Sequence, residues 1–253
     1  MARSSRFSPG RSSYWQRSQE PLQALVFLLP LILLYEFGVV RFDGTRDIVA
    51  RHRLQGFFEL LGVGGVHMPA LAVVATLLGW HLARRDPWQF KLQRYVFMLF
   101  ESVVLALPLL MFAQVLFREP MAGAAQWLAG AVETRPIGFA DEVLLSIGAG
   151  IYEELLFRLM AIALLHLVLY DVLALPQAWA GALAVGISSL LFAGYHFLGA
   201  NPFDMGKFLF YAAAGVYLAA VYLWRGFGIA AGSHAMYDIF IAVITARLQV
   251  AGG

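Results

Sequence analysis

Seven apolar segments divide the chain, and most of them are long enough to cross a lipid bilayer. A helix needs about 20 mostly apolar residues to span a hydrocarbon core roughly 30 Å thick. The segments lie near residues 22–40, 66–83, 95–117, 143–170, 177–198, 208–224 and 228–246. Only 13% of the 253 residues are charged, whereas soluble domains usually carry about 25%. The sequence therefore predicts an all-α fold, a polytopic transmembrane helical bundle of about seven spans.

The polar residues outside these segments indicate a simple domain organisation. Residues 1–20 carry four arginines before their first acid, Glu20, and are predicted to form a disordered basic N-terminal tail. Residues 21–250 are predicted to form a single transmembrane domain. Within it, the segment 41–65 mixes charged and aromatic residues and could lie along the membrane interface. The segment 118–141 is the longest polar connection.

Composition also excludes several classes of chemistry. The chain has no cysteine, which rules out disulfides, a thiol nucleophile and thiolate metal ligands. The formal net charge of +2 is too small to indicate nucleic-acid binding.

Two adjacent glutamates interrupt the fourth apolar segment. Glu153, Glu154 and Arg158 are the only Asp, Glu, Lys or Arg residues between Val143 and Tyr170. Charged side chains at membrane depth are costly and usually mark chemistry or a transport path. A spacing of four places Glu154 and Arg158 on one helix face, whereas Glu153 lies about 100° round the helix. Glu154 and Arg158 could alternatively be a structural ion pair.

Two later segments supply further ionisable groups. His196 follows Phe192 by four residues, and His234 precedes Asp238 by four, so each pair shares a helix face. His234 and Asp238 could be only a hydrogen-bonded pair, and His196 could lie at the membrane interface. Three segments that each supply ionisable groups favour a functional site over these separate explanations. The remaining histidines do not share a helix face with another motif residue and are predicted to be structural: His52, His67, His81 and His166.

Helix geometry predicts that these groups lie at similar depth. Glu153 precedes Tyr170 by 17 residues and His196 follows Pro176 by 20, which are about 26 and 30 Å from the same hairpin. His234 is only about 12 Å beyond the turn before its segment, on that same side. The three levels agree only if the hairpin protrudes or the helices tilt.

A glutamate pair and two histidines at one depth suit the hydrolysis of an amide. A carboxylate in an apolar pocket can act as a general base on water, and a histidine can orient that water. A second histidine can donate a hydrogen bond to the oxyanion of the tetrahedral intermediate. The sequence contains neither the H-E-x-x-H motif of zinc proteases nor the G-x-S-x-G motif of serine hydrolases.

The three patterns resemble the motifs of the CPBP intramembrane proteases, the glutamate-type CAAX-protease and bacteriocin-processing family. The motifs are E-E-x-x-x-R, F-x-x-x-H, and H-x-x-x-N or H-x-x-x-D. The matching residues are, in chain order, Glu153, Glu154 and Arg158, then Phe192 and His196, then His234 and Asp238. All three motifs occur in order on separate apolar segments within residues 142–240.

The resemblance implies a role for each matching residue. Glu153 would activate water together with His196, and His234 and Asp238 would line the oxyanion site. The remaining two motif residues, Glu154 and Arg158, would support and orient the site. Asp238 departs from the asparagine of the eukaryotic prenyl-protein pattern, and an ionised aspartate cannot donate a hydrogen bond. Asp238 would then either be protonated or serve to hold His234.

The resemblance also implies an activity and a setting. The expected function is an intramembrane endopeptidase that hydrolyses a peptide bond near the membrane-embedded C-terminal part of its substrate. The expected partners are a membrane-anchored protein or peptide substrate and the lipid bilayer, without nucleic acid. The expected location is the bacterial inner (plasma) membrane, as a multi-pass protein.

Other interpretations of the same residues stay open. No cofactor is expected: Glu, His, His and Asp could hold zinc, but the roles above need no metal, and the metal-free interpretation is preferred. A non-catalytic membrane immunity or scaffold protein could retain the motifs. A proton-coupled carrier could use the glutamates and histidines as a relay, although the sequence shows no inverted repeat of the kind that carriers usually have.

Overall fold

The computed structural model describes residues 14–41, 48–116, 138–198 and 202–252. Within these ranges the chain forms nine helices and no β-strand. In chain order the helices are α1 (Tyr14–Arg17), α2 (Pro21–Arg41), α3 (Val49–Leu60), α4 (Met68–Arg84), α5 (Leu92–Leu116), α6 (Phe139–Val172), α7 (Gln177–Tyr195), α8 (Met205–Arg225) and α9 (Phe227–Gly252).

Six of these helices are long and apolar enough to cross a membrane: α2, α5, α6, α7, α8 and α9. The helix α4 is also apolar but shorter, with 17 residues. Each of the seven apolar segments therefore corresponds to a helix, and the predicted all-α polytopic bundle is confirmed. The chain is an integral, multi-pass membrane protein.

A buried arginine joins the short helix α1 to the end of the bundle. Arg225, the last residue of α8, donates from Nη2 to Ser18 Oγ and to Glu101 Oε2, both at 2.9 Å. Its guanidinium carbon lies 4.0 Å from the centre of the Trp15 ring. The Tyr14 hydroxyl donates to Glu101 Oε2 at 2.6 Å. Burial and the Glu101 carboxylate raise the pKa of Tyr14, so the phenol remains a hydrogen-bond donor.

These contacts order part of the segment that the sequence analysis assigned to a disordered tail. Residues 14–20 form α1 and a turn, whereas residues 1–13 lie outside the described ranges. The sequence did not indicate a helix within residues 14–20 because α1 has only four residues and no apolar periodicity of its own. Its order depends on Arg225, about two hundred residues further along the chain.

Two other sequence-based assignments fall partly outside the described residues. The segment proposed to lie along the membrane interface contains α3, whose buried residues are Ala50, Arg51 and Leu54. The last turn of α3 exposes Phe57 and Leu60. Residues 42–47 of that segment and residues 117–137 of the long polar connection lie outside the described ranges.

The helix α6 changes its pitch directly after the glutamate pair. Its successive segments are an α-helix (Phe139–Glu154), a π-helix (Leu155–Ala161), an α-helix (Ile162–His166) and a π-helix (Leu167–Val172). π-Helical turns are rare and occur mostly at functional sites. In the first of them, the Phe157 carbonyl accepts a hydrogen bond from Ser188 Oγ of α7 at 2.5 Å. No residue of the second is buried, although Leu169 packs against the buried cluster that contains Ala184 of α7 and Ala219 of α8.

The helix α9 lies at the centre of the bundle and packs against α2, α5, α6 and α8. Its contact with α6 depends on Gly150, where an added Cβ would lie 2.6 Å from both Ala231 O and Ala235 N. Small residues allow helix backbones to approach closely in membranes. Because Gly150 lies one turn before Glu154, this close approach brings Glu154 next to His234.

We expect Gly150→Ala to destabilise the protein, because its new methyl group would overlap backbone atoms that cannot rotate away. Overpacking of this kind typically costs about 1–3 kcal/mol. The measurement is the apparent melting temperature of the purified protein in detergent. Gly186→Ala on α7 is the matched control, since nothing lies within 4 Å of its added Cβ. Equal melting temperatures for the two variants would contradict the close-packing argument.

Candidate active site

The six predicted site residues come together from three helices. Glu153, Glu154 and Arg158 lie on α6, His234 and Asp238 lie on α9, and His196 directly follows the last residue of α7. The residues contributed by α6 and α9 are all buried. The predicted common depth is confirmed by the distances between their side chains.

The Glu154 carboxylate connects Arg158 to His234. His234 Nδ1 lies 2.8 Å from Glu154 Oε1, within hydrogen-bonding distance. On the other side, Arg158 Nε lies 3.0 Å from Glu154 Oε2, close enough for an ion pair although the angle is not that of a hydrogen bond. The Arg158 guanidinium also stacks on the Phe192 ring, 4.3 Å from its centre. One fully buried carboxylate thus holds a charge partner on its own helix and a histidine on α9.

The His196 ring has a defined tautomer. Its Nδ1 lies 2.8 Å from the carbonyl oxygen of Phe192, and because a carbonyl oxygen can only accept, Nδ1 must donate. In the neutral ring Nε2 is then an acceptor. His196 Nε2 lies 3.8 Å from Glu153 Oε2, an atom that makes no hydrogen bond to the described residues. Two acceptors therefore face each other across a gap.

The second nitrogen of His234 faces the same gap. His234 Nε2 lies 3.9 Å from Glu153 Oε2 and 3.6 Å from Asp238 Oδ2. Both distances exceed those of normal hydrogen bonds, which are about 2.7–3.2 Å. Because Glu154 occupies Nδ1, the group that orients His234 most directly is Glu154 and not Asp238. The helix spacing had indicated His234 and Asp238 as the pair.

A second polar cluster, which no sequence motif had indicated, lies beside the site and is buried except for the half-exposed His67. The Tyr152 hydroxyl donates to Glu36 Oε1 at 2.8 Å, and Arg51 Nε lies 3.4 Å from the same oxygen. His67 Nδ1 lies 2.5 Å from Glu36 Oε2. Tyr152 directly precedes Glu153, so this cluster fixes the backbone of α6 against α2 and α3. No sequence motif marks it, because its members come from four separate elements.

Two further residues that contact the site also lack a sequence signal. Tyr211 of α8 stacks on the His196 ring, and Ser188 of α7 binds the first π-helical turn of α6. An aromatic residue or a serine in an apolar helix is too common to single out. Only the fold shows that these two touch the site.

The described residues contain no group of three or more His, Asp or Glu side chains arranged to hold a metal ion. His196 Nδ1 is hydrogen-bonded to the Phe192 carbonyl oxygen, and His234 Nδ1 lies within hydrogen-bonding distance of Glu154 Oε1. Histidines that bind a metal through Nε2 usually donate from Nδ1 in this way, so these Nδ1 contacts do not distinguish a metal-free site from a zinc site.

Fold and site together define a polytopic α-helical membrane protein with carboxylates and imidazoles gathered inside the bundle. Residues 137–240 match the model of a protein family described as Rce1-like, type II CAAX prenyl endopeptidase Rce1-like. This segment contains all three motifs, and it confirms the resemblance to the CAAX proteases. The matched segment is less than half of the chain, and the description of that family is that of a peptide hydrolase. The searches of curated proteins and of solved structures found no match.

Proposed function

We propose that the protein is an intramembrane endopeptidase of the CPBP type that uses a glutamate- and histidine-activated water. The observation that carries the proposal is the pair of hydrogen-bond acceptors, Glu153 Oε2 and His196 Nε2, 3.8 Å apart inside the bundle. A water molecule can lie about 2.8 Å from both atoms and donate one hydrogen bond to each. Such a water is oriented and partly polarised before any substrate arrives.

Glu153 is the proposed general base. It removes a proton from the water as the oxygen attacks the carbonyl carbon of the scissile peptide bond. The new carbon–oxygen bond turns the carbonyl oxygen into an oxyanion. Glu153 then passes the proton to the amide nitrogen, and the carbon–nitrogen bond breaks to give a carboxylic acid and an amine. One water is consumed for each bond cleaved.

His234 is the proposed donor to the oxyanion. Its Nδ1 contacts the Glu154 carboxylate, and its Nε2 faces the gap in which the oxyanion would form. Nε2 can donate only when the ring carries both protons. In the proposed mechanism the ring carries both protons, with Nδ1 donating to Glu154 Oε1 and Nε2 directed at the oxyanion. In this assignment Glu154 holds the ring at 2.8 Å, and Asp238, at 3.6 Å from Nε2, does not itself bind the oxyanion.

Glu154 and Arg158 are proposed to support the site. Glu154 is fully buried, and its charge is balanced by Arg158 one turn further along α6. Removing one member of a buried pair leaves the other charge without compensation. Arg158 thus contacts Glu154 Oε2 and leaves Glu154 Oε1 to hold His234.

The proposed substrate is a membrane-anchored protein or peptide, cut near the membrane-embedded C-terminal part. The site residues lie on helices that span the bilayer, so the scissile bond must approach from within or beside the membrane. The family description names prenyl endopeptidases, which makes a prenylated C-terminal peptide the first substrate to test. We propose a location in the bacterial inner (plasma) membrane.

The experiment is a cleavage assay with the purified protein in liposomes. The substrates are one peptide sequence in three forms: with a C-terminal farnesylated cysteine motif, with a transmembrane anchor, and without an anchor. We expect a single internal cut in at least one anchored form, detected by mass spectrometry, and none in His196→Ala at equal incorporation. Cleavage that His196→Ala leaves unchanged would contradict the mechanism. Intact substrates throughout would favour a scaffold or immunity protein.

The interpretation that the site needs no metal is tested by repeating the liposome cleavage assay with a zinc chelator. Because no described group of side chains is arranged to hold a metal, we expect the rate to survive treatment with a zinc chelator. Loss of activity on chelation, with recovery on adding one zinc per chain, would contradict this part of the proposal.

A further inference from the structure

The His196 ring needs support from outside its own helix. α7 ends at Tyr195, and the chain continues from His196 in a turn. A side chain at this position is not surrounded by a following helical turn. The proposed water activation nevertheless requires that Nε2 stay directed at Glu153 Oε2.

Besides the adjacent Tyr195, whose ring centre lies 5.4 Å away, two aromatic rings contact the imidazole. Tyr211 of α8 lies flat against it, with ring centres 3.8 Å apart and planes inclined by 18°. The Phe192 ring meets it edge to face, with centres 4.6 Å apart and planes inclined by 70°. Aromatic pairs in these arrangements are stabilising beyond the area that they bury. With Nδ1 bound to the Phe192 carbonyl, rotation of the imidazole about its side-chain axis would break all three contacts.

The packing of α8 on α7 holds Tyr211 in this place. Gly215 lies one helical turn after Tyr211, on the same face of α8. An added Cβ at Gly215 would lie 3.0 Å from Ser189 Cα on α7. The absence of a side chain at Gly215 therefore lets the two helices approach closely where Tyr211 reaches His196.

We propose that Tyr211 is a positioning residue for the water-activating His196, and that it acts through its aromatic ring and not its hydroxyl. This inference rests on the proposed function. The stacked ring covers one face of the imidazole and keeps it from turning out of line with Glu153. Small displacements of a catalytic group can cost up to about 100-fold in rate.

The test compares Tyr211→Leu, which removes the ring, with Tyr211→Phe, which removes only the hydroxyl. We expect Tyr211→Leu to lower kcat by about 10- to 100-fold while KM changes little, since the substrate does not bind through His196. Tyr211→Phe should restore most of the lost rate. Tyr222→Leu is the matched control, because Tyr222 is a partly buried tyrosine on the same helix that packs in the core away from the site.

A spectroscopic measurement examines the stack without relying on cleavage. In a sample with isotope-labelled histidine, the His196 ring protons are identified by the signal that His196→Ala lacks. The ring current of a stacked tyrosine should shift them upfield in the wild type and in Tyr211→Phe, and the shift should be lost in Tyr211→Leu.

Two results would overturn the inference while leaving the proposed function intact. One is wild-type cleavage with an undiminished kcat in Tyr211→Leu. The other is a Tyr211→Phe variant as slow as Tyr211→Leu, which would assign the role to the hydroxyl. A wild-type protein that cleaves no anchored peptide would instead overturn the proposed function, and the positioning role with it.

Discussion

Replacing Glu153 with glutamine should abolish peptide cleavage while the protein still inserts and folds. Glutamine has nearly the same size as glutamate and can still accept a hydrogen bond from water, but it cannot take the water's proton. General bases typically contribute about 10²–10⁴-fold to rate, and we expect a loss in that range or larger. The Glu153 Oε2 atom makes no hydrogen bond to the described residues, so no structural contact of that oxygen is lost with the charge.

The matched control for this variant is Glu142→Gln on the same helix. Glu142 lies in the first turn of α6, 11 residues before Glu153, or about 16 Å along the axis. Its replacement removes the same charge from the same element without touching the site, and the cleavage rate should stay within about twofold of wild type. The measurement is the rate per incorporated protein in the liposome assay. Near wild-type cleavage by Glu153→Gln would remove Glu153 from the mechanism.

The apolar helices and the ionisable residues that meet inside the bundle could be predicted from local sequence patterns, whereas the short helix α1 could not. Apolar segments of span length report helices directly, because unpaired backbone groups are not tolerated in lipid. Glu153, Glu154 and Arg158 stand out because charges are rare at that depth. His196, His234 and Asp238 were found by their order and spacing on separate segments, and the structure brings all of them together.

The pairing of these residues could not be predicted in the same way. A spacing of four indicated that His234 and Asp238 act as a pair, yet the shorter contact of His234 is with Glu154 on another helix, at 2.8 Å. That contact requires the close approach of α6 and α9 at Gly150. A glycine in an apolar helix does not reveal which neighbouring helix it faces.

The positions of the helices along the membrane normal, relative to one another, also could not be predicted from the sequence. His234 lies much nearer to its turn than His196 does, so the residues meet only if the hairpin between α6 and α7 protrudes or the helices tilt, and the sequence does not distinguish these two arrangements. The first π-helical segment of α6 is largely buried and contains Arg158, whereas the second has no buried residue. Nothing in the residues Leu155–Val172 distinguishes a π-helical from an α-helical conformation by composition alone.

Comparing the cleavage rates of His234→Ala and Asp238→Asn tests which of the two residues donates the hydrogen bond to the oxyanion. We expect His234→Ala to lower the cleavage rate by about 10²–10³-fold, the usual loss when one donor to an oxyanion is removed. Asp238→Asn should keep substantial activity. Its Oδ2 lies 3.6 Å from His234 Nε2, while Glu154 holds the ring at Nδ1, so the orientation of His234 does not depend on the aspartate charge.

Asparagine at position 238 would also gain an ability that an ionised aspartate lacks, since its amide can donate to an oxyanion. The measurement is the cleavage rate of both variants at matched membrane abundance, with the melting temperature in detergent to detect unfolding of His234→Ala. A folded His234→Ala protein with a normal rate would mean that another group stabilises the oxyanion. If Asp238→Asn were as inactive as Glu153→Gln, Asp238 would have to carry a charge or a proton in the reaction. The role of the base would then be shared between the carboxylates that face the gap.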